Sequence, residues 1–254
     1  AIMLCRVGDD ASGKELLKNF DSAGVDTRYI IRDPESSSGM AFITVDGKGE
    51  NTIVIFSGAN MKLSPSDLNG ITDEIRNAKV VVAQLEIPIQ TVRRTAEVAR
   101  EQDASFILNP APAPSQDIMD ILRLVDVLCP NRRETESLTG VRIRTMDDAR
   151  RASDRLRKKG VKNVVLTLGA EGAFLANEMV EQHFLCPSVA VVDTTGAGDA
   201  FVGALAYSLA SGSPMVDAVK FANVAAAISV TRDGTQTGLP TLDEIRKLQH
   251  TFCQ

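Results

Sequence analysis

The run Asp193-Thr194-Thr195-Gly196-Ala197-Gly198-Asp199 combines what phosphate chemistry needs. Gly196 and Gly198 let the backbone take positive φ and come close to a ligand. Behind them Ala200-Phe201-Val202-Gly203-Ala204-Leu205 opens a predicted helix over Asp199 to Ser211, and Val189-Ala190-Val191-Val192 ahead of them reads as a strand. N–H groups at such a helix start point at one spot, and the helix dipole favours an anion there. That suits phosphate oxygens, and above all a phosphoryl group in flight. Gly196, Ala197 and Gly198 are therefore candidates for an anion hole. The Asp199 carboxylate is placed to accept a proton from an attacking hydroxyl. An Asp after a Gly can also merely cap a helix; the two glycines, the paired threonines and Asp193 favour chemistry.

A second glycine-rich run is a decoy. Gly8-Asp9-Asp10-Ala11-Ser12-Gly13-Lys14-Glu15 nearly fits the P-loop pattern. The last position needs a hydroxyl for Mg²⁺, and Glu15 supplies a carboxylate instead. Asp9 and Asp10 would repel phosphate. A strand-to-helix turn capped by Asp or Ser explains the run.

Other polar positions stay open on residue type alone. Glu86 follows a strand and can be a surface carboxylate. Asn131 can be a helix cap. Thr167-Leu168-Gly169-Ala170-Glu171-Gly172 can be a simple β-turn.

Composition excludes several classes. The chain has 254 residues, a net charge of −5 and 24% charged residues, which argues against a nucleic-acid partner held by a basic field. The run Arg155-Leu156-Arg157-Lys158-Lys159 reads as a solvated helix face. Only two histidines are present, which argues against a His-rich metal site or a histidine triad. The four cysteines, Cys5, Cys129, Cys186 and Cys253, form no CxxC pair. The first three sit in apolar stretches and read as buried thiols of a cytoplasmic protein. No apolar run approaches the ~20 residues a membrane helix needs.

The elements that must hold these residues alternate. Val80–Ala83, Ser105–Leu108, Val125–Leu128 and Asn163–Thr167 are apolar runs suited to strands buried on both faces. Helical patterns fall over Pro88–Gln102, Glu134–Leu138 and Met146–Lys159, with Pro214–Thr231 and Leu242–Phe252 near the end. This predicts an α/β fold: three layers, α/β/α, around a mostly parallel central sheet. Residues 26–56 differ. Thr27–Ile31, Met40–Val45 and Asn51–Phe56 read as three strands of a small antiparallel sheet, with a hairpin turn at Asp46-Gly47-Lys48-Gly49. Such a sheet could act as a lid, or pair its free edges with a second copy as a homodimer. Residues 1–254 read as one domain with this β appendage. The opening run Ala1–Val7 also reads as a strand.

The Asp193–Asp199 run with Ala200-Phe201 resembles the C-terminal signature of the carbohydrate kinases of the phosphofructokinase B group, most closely its ribokinase branch. Val7-Gly8-Asp9-Asp10, Ser57-Gly58-Ala59-Asn60, Gln84-Leu85-Glu86, Asn109-Pro110-Ala111-Pro112-Ala113 and Gly234-Thr235-Gln236 extend the resemblance along the chain. It implies ATP-dependent transfer of a phosphoryl group to O5 of D-ribose, with Asp199 as the base. It also implies Glu86 at the sugar, Asn131 and Glu134 handling nucleotide phosphates and hydrated Mg²⁺, Thr167–Gly172 as the nucleotide turn and Asn223 at adenine. A K⁺ ion would lie by Asp193, Thr195, Ser229, Arg232, Gly234 and Gly238; the family usually has Ser where Gly238 stands. The family normally begins with a strand carrying an Asp for the sugar and a Gly-Gly-Lys-Gly-like loop. Neither occurs in this sequence, so a missing upstream segment is expected. Kinases for another sugar or a nucleoside, and a non-catalytic nucleotide-binding remnant, are the alternatives.

Overall fold

The computed structural model describes residues 1–45 and 51–252, so the expected hairpin turn and Cys253 lie outside the described residues. The chain divides into two compact units. One comprises Ala1–Asn77 with Leu85–Val98, the other Ala78–Gln84 with Ala99–Gln254.

The first unit holds β1 (Cys5–Gly8), α1 (Ala11–Ser22), β2 (Ile30–Asp33), β3 (Met40–Val45), β4 (Asn51–Phe56) and α2 (Thr72–Asn77). β1 and β2 pair in parallel, while β3 and β4 form an antiparallel ribbon. This corrects the expected three-stranded appendage. β2 leaves it because its partner is β1, with Arg6 opposite Ile31. β1 is also shorter than the Ala1–Val7 run; Ile2 makes only a lone bridge to Asp26. The decoy turn is filled by its own carboxylate. Asp10 caps α1, accepting from Gly13 N at 2.7 Å, Ser38 N at 2.7 Å and Ser38 Oγ at 2.8 Å. No place for a phosphate remains between those donors. Arg6 ties β1 to the following segments through Asp67 at 2.9 Å and Asp33 at 3.4 Å.

The second unit is built on a six-stranded sheet. Its strands are β5 (Val80–Ala83), β6 (Ser105–Leu108), β7 (Val127–Leu128), β8 (Asn163–Thr167), β9 (Ala173–Ala176) and β10 (Glu181–Phe184), in the spatial order β10-β9-β8-β7-β6-β5. β5 to β8 run parallel, and β9 and β10 add two antiparallel strands at the other side. The helices are α3 (Ile89–Glu101, which crosses the unit boundary), α4 (Met119–Leu122), α5 (Arg132–Thr139), α6 (Met146–Lys158), α7 (Ala197–Ala210), α8 (Met215–Ser229) and α9 (Leu242–Phe252).

Alternation along the strands makes the three layers. Val165, Ala173 and Leu175 pack with Phe201 and Leu205 of α7 and with Ala222 and Ala225 of α8. Their neighbours Leu166, Phe174 and Ala176 point the other way, onto Ala149 and Ala152 of α6. Both faces of β8 and β9 are covered, as near-continuous apolar strands require; β5, at the sheet edge, departs from this expectation, with Val82 42% exposed. The α/β three-layer expectation therefore holds. Val189–Val192 is not a strand. Val191 and Val192 are exposed, and Val192 N and Asp193 N both donate to the Val230 carbonyl, at 2.7 and 3.2 Å. Cys129 is buried, but Cys5 and Cys186 are only half-buried.

Candidate active site

The carboxyl ends of the parallel strands carry a row of polar residues: Gln84 after β5, Asn109 after β6, Asn131 just beyond β7, and Thr167 at the end of β8. The strands bring them side by side. Asn109 N donates to Ala83 O at 3.0 Å, Cys129 N to Leu108 O at 2.9 Å and Thr167 N to Pro130 O at 2.9 Å. In open α/β sheets ligands bind outside this end of the strands.

The glycine turn comes from the following segment. Gly196 takes φ +80° and caps α7, whose first residue is Ala197. Only a residue without Cβ adopts that φ cheaply. The first turn of α7 leaves N–H groups without intrahelical acceptors. A β-carbon at Gly198 would meet nothing within 4 Å, so there is open space in front of the turn. Asp199, in that first turn, is exposed. Its Oδ1 accepts from Gln84 Nε2 at 3.0 Å.

Asp193 pins the turn from behind. Its Oδ1 accepts from Thr195 N at 2.9 Å and Thr195 Oγ1 at 2.7 Å, and its Oδ2 from Gly234 N at 3.3 Å. The Thr195 donors, with Gly234, hold its carboxyl below the usual carboxylate range. A fixed negative charge thus sits at the base of the turn. Beside it, a β-carbon at Gly238 would lie 2.6 Å from Gly234 O, 3.1 Å from Ser229 O and 3.8 Å from Arg232 O. A side chain at Gly238 would collide with these carbonyls, and Gly234 O already accepts from the Gly238 N–H at 3.0 Å.

The expected nucleotide residues fall in a second cluster. Asn131 caps α5: its Oδ1 accepts from Glu134 N at 3.0 Å, while its N and Nδ2 donate to the Glu134 carboxylate at 2.8 and 2.6 Å. This is a capping box. Glu134 is 3% exposed, and burial pushes its carboxyl above the ordinary value, opposed by the Asn131 N–H. Thr167–Gly172 is a tight turn, closed by Leu168 N to Gly172 O at 2.7 Å and Gly172 N to Gly169 O at 2.9 Å. Glu171 pairs with Arg132 of α5, so the Arg after Asn131 bridges the two segments expected to meet the nucleotide. Asn223 is buried in α8 and donates Nδ2 to Phe184 O at 3.2 Å. Glu86 is exposed, lies between β5 and α3, and belongs to the first unit. Among the described residues, no group of three or more His, Cys, Asp or Glu is arranged to hold a metal. No helix there is long and apolar enough to cross a membrane.

Residue types did not single out Gln84 and Asn109 as polar partners of Asp199. Their position directly after apolar strand runs is the signal that finds them.

A glycine turn capping a helix, with a carboxylate in its first turn at the carboxyl side of a parallel sheet, defines a phosphotransferase of the α/β class. The model of the pfkB family carbohydrate kinases matches residues 1–242, and the chain belongs to that family. It is 36% identical over 246 residues to the ribokinase of Staphylococcus aureus, covering 96% of this chain and 81% of that protein. The deoxyribokinase of Salmonella typhi is equally similar, 36% identical over 246 residues, covering 97% of this chain and 80% of its own length. Among solved structures, Arabidopsis thaliana ribokinase complexed with ribose and ATP superposes with a TM-score of 0.89 at 29% identity, covering 98% of this chain and 81% of that one. The chain is a carbohydrate kinase, a phosphotransferase.

Proposed function

We propose that this kinase transfers the γ-phosphoryl group of ATP to O5 of D-ribose, giving ribose 5-phosphate and ADP. The observation that carries this is Asp199 in the first turn of α7, beside the Gly196–Gly198 turn. The Asp199 carboxylate takes the proton of the attacking hydroxyl. In this reading the N–H groups of Gly196 and Gly198 face the charge that develops on the transferring group, while that of Ala197, which donates to the Thr194 carbonyl at 3.3 Å, would have to turn to join them. Glu86 contacts the sugar. Asn131, Glu134, Thr167–Gly172 and Asn223 serve the nucleotide.

Bound Mg²⁺ would neutralise charge between the phosphates. Glu134 would reach its hydration shell only through the lone pairs that its bonds to Asn131 leave over. K⁺ would be held by Asp193, Thr195, Ser229, Arg232, Gly234 and Gly238, and would supply positive charge near the turn. In this proposal residues 1–254 act as one cytoplasmic kinase domain, and the β3–β4 ribbon joins two copies into a homodimer.

The equal similarity to a deoxyribokinase supports a second substrate, 2-deoxyribose. ADP formation with ATP, Mg²⁺ and K⁺, measured across ribose, 2-deoxyribose, other sugars and nucleosides, separates these. Ribose is expected to give the highest kcat/KM. Preference for 2-deoxyribose moves the assignment to that sugar, and no sugar-dependent ADP removes it.

A further inference from the structure

The Gln84 carboxamide is held through both N–H bonds of its donor end. Its Nε2 lies 3.0 Å from Asp199 Oδ1 and 3.3 Å from Asn109 Oδ1. Asn109 in turn donates its Nδ2 to the Cys129 carbonyl at 2.8 Å. A backbone carbonyl can only accept, and a carboxamide has one donor end and one acceptor end. The Cys129 carbonyl therefore fixes Asn109 with its NH₂ toward β7 and its oxygen toward Gln84. That oxygen fixes Gln84 with its NH₂ forward. One N–H of Gln84 meets Asn109, and the other is left for Asp199. Flipping either amide would set an acceptor against an acceptor.

The anchor is rigid. Cys129 is buried, and its own N–H is bonded to Leu108 O at 2.9 Å, inside the sheet. The exposed carboxylate of Asp199 is thus gripped by a donor whose direction is set by the backbone at the end of β7. Left ungripped, an Asp side chain at a helix start would sample several rotamers.

We propose that Gln84 is a positioning residue for Asp199. Its carboxamide, oriented through Asn109 by the Cys129 carbonyl, holds Oδ1 as an acceptor and directs Oδ2 at the proton of the attacking hydroxyl. Misplacing a reacting group by a fraction of its contact distance is costly in rate, because proximity is lost. The proposal rests on Asp199 as the base.

Two measurements test it. In the ¹⁵N-labelled chain, the Gln84 side-chain amide signals are expected to move in Asp199→Asn and in Asn109→Leu. This readout needs no turnover, and signals unmoved in both variants overturn the proposal. In the kinetic assay, Gln84→Met is expected to lower kcat by about tenfold, the scale of one hydrogen bond to a charged group, with the KM for ATP held. Asn109→Leu should lower it similarly, and the double variant should be no worse than either single one, since both cut the same chain. Gln84→Glu should lose more than Gln84→Met, because it sets a like charge against Asp199. Equal losses would indicate packing alone and overturn the role. If Gln84→Met keeps full kcat while Asp199→Asn is inactive, the positioning role falls and the base stands. If Asp199→Asn keeps full kcat, the base assignment itself falls. Should Gln84→Met not fold, Asn109→Leu and the amide signals decide.

Discussion

Asp199 and Asp193 are only six positions apart in the sequence, yet their surroundings differ in kind. Asp193 is enclosed by three donors, two from Thr195 and one from Gly234. Its lone pairs are directed inward, and its work is to hold the turn. Asp199 is exposed and meets a side-chain amide through one oxygen. A carboxylate with an oxygen still open to solvent suits proton transfer, and one ringed by backbone and hydroxyl donors does not. Asp199→Asn is therefore expected to lower kcat by about 10²–10⁴, the usual contribution of a positioned base. ATP binding, followed by titration calorimetry, should persist. Turnover at the parent level would show that Asp199 is not the base.

At the scale of elements, the turn after β8 and the start of α6 carry the sharpest expectations. Gly172 has φ +89°, and a β-carbon there would lie 2.0 Å from Phe184 O. Gly172→Ala should cost about 1–3 kcal/mol or more, the range for a strained backbone position. Urea unfolding measures it, and a midpoint equal to the parent's would contradict the geometry. At α6, Asp148 accepts from Arg144 N at 3.1 Å, Thr145 N at 2.9 Å and Thr145 Oγ1 at 3.0 Å, and pairs with Arg151. The Arg144 N–H, then the Thr145 hydroxyl and Arg151, hold its carboxyl down at about 2. A carboxyl depressed in the folded state stabilises that state above its unfolded value of about 3.9. The contribution is lost as pH falls toward 2. Asp148→Asn should lower the melting temperature at neutral pH and lessen its fall between about pH 4 and about pH 2. An acid limb as steep as the parent's would refute this.

For the whole molecule, the β3–β4 ribbon is the unsettled surface. Met40 stands opposite Phe56, and Phe42 opposite Val54, on one face of it. These side chains are 42%, 51%, 58% and 61% exposed, respectively. A two-stranded ribbon is marginal by itself in water, and a contiguous apolar face of this kind marks an interaction surface. The proposed homodimer would cover it. Light scattering is expected to give twice the 27.3 kDa chain mass, and Phe42→Lys should return the monomer. Monomer at every concentration of the parent chain would remove the dimer from the proposal.

The glycine turn opening a helix was legible in the sequence because its signals are local. Gly196, Gly198 and the helix start lie within a few residues, and backbone N–H direction follows from φ and ψ alone. The layered α/β fold was legible for a similar reason, since apolar runs and helical periods are local patterns. The partners of these elements were not. Alternation in Ile30–Asp33 is the same whether the strand pairs with β3 or with β1, and only packing selects β1. Val189–Val192 has strand-like composition, but the backbone N–H groups of Val192 and Asp193 are claimed by the Val230 carbonyl. Gln84 meets Asp199 across 115 positions of sequence, because β5, β6 and β7 end side by side and aim three polar groups along one line. Residue types and their spacing determined that this chain handles phosphate. Which amide grips the base was decided by strand order, a long-range property that no short window of sequence contains.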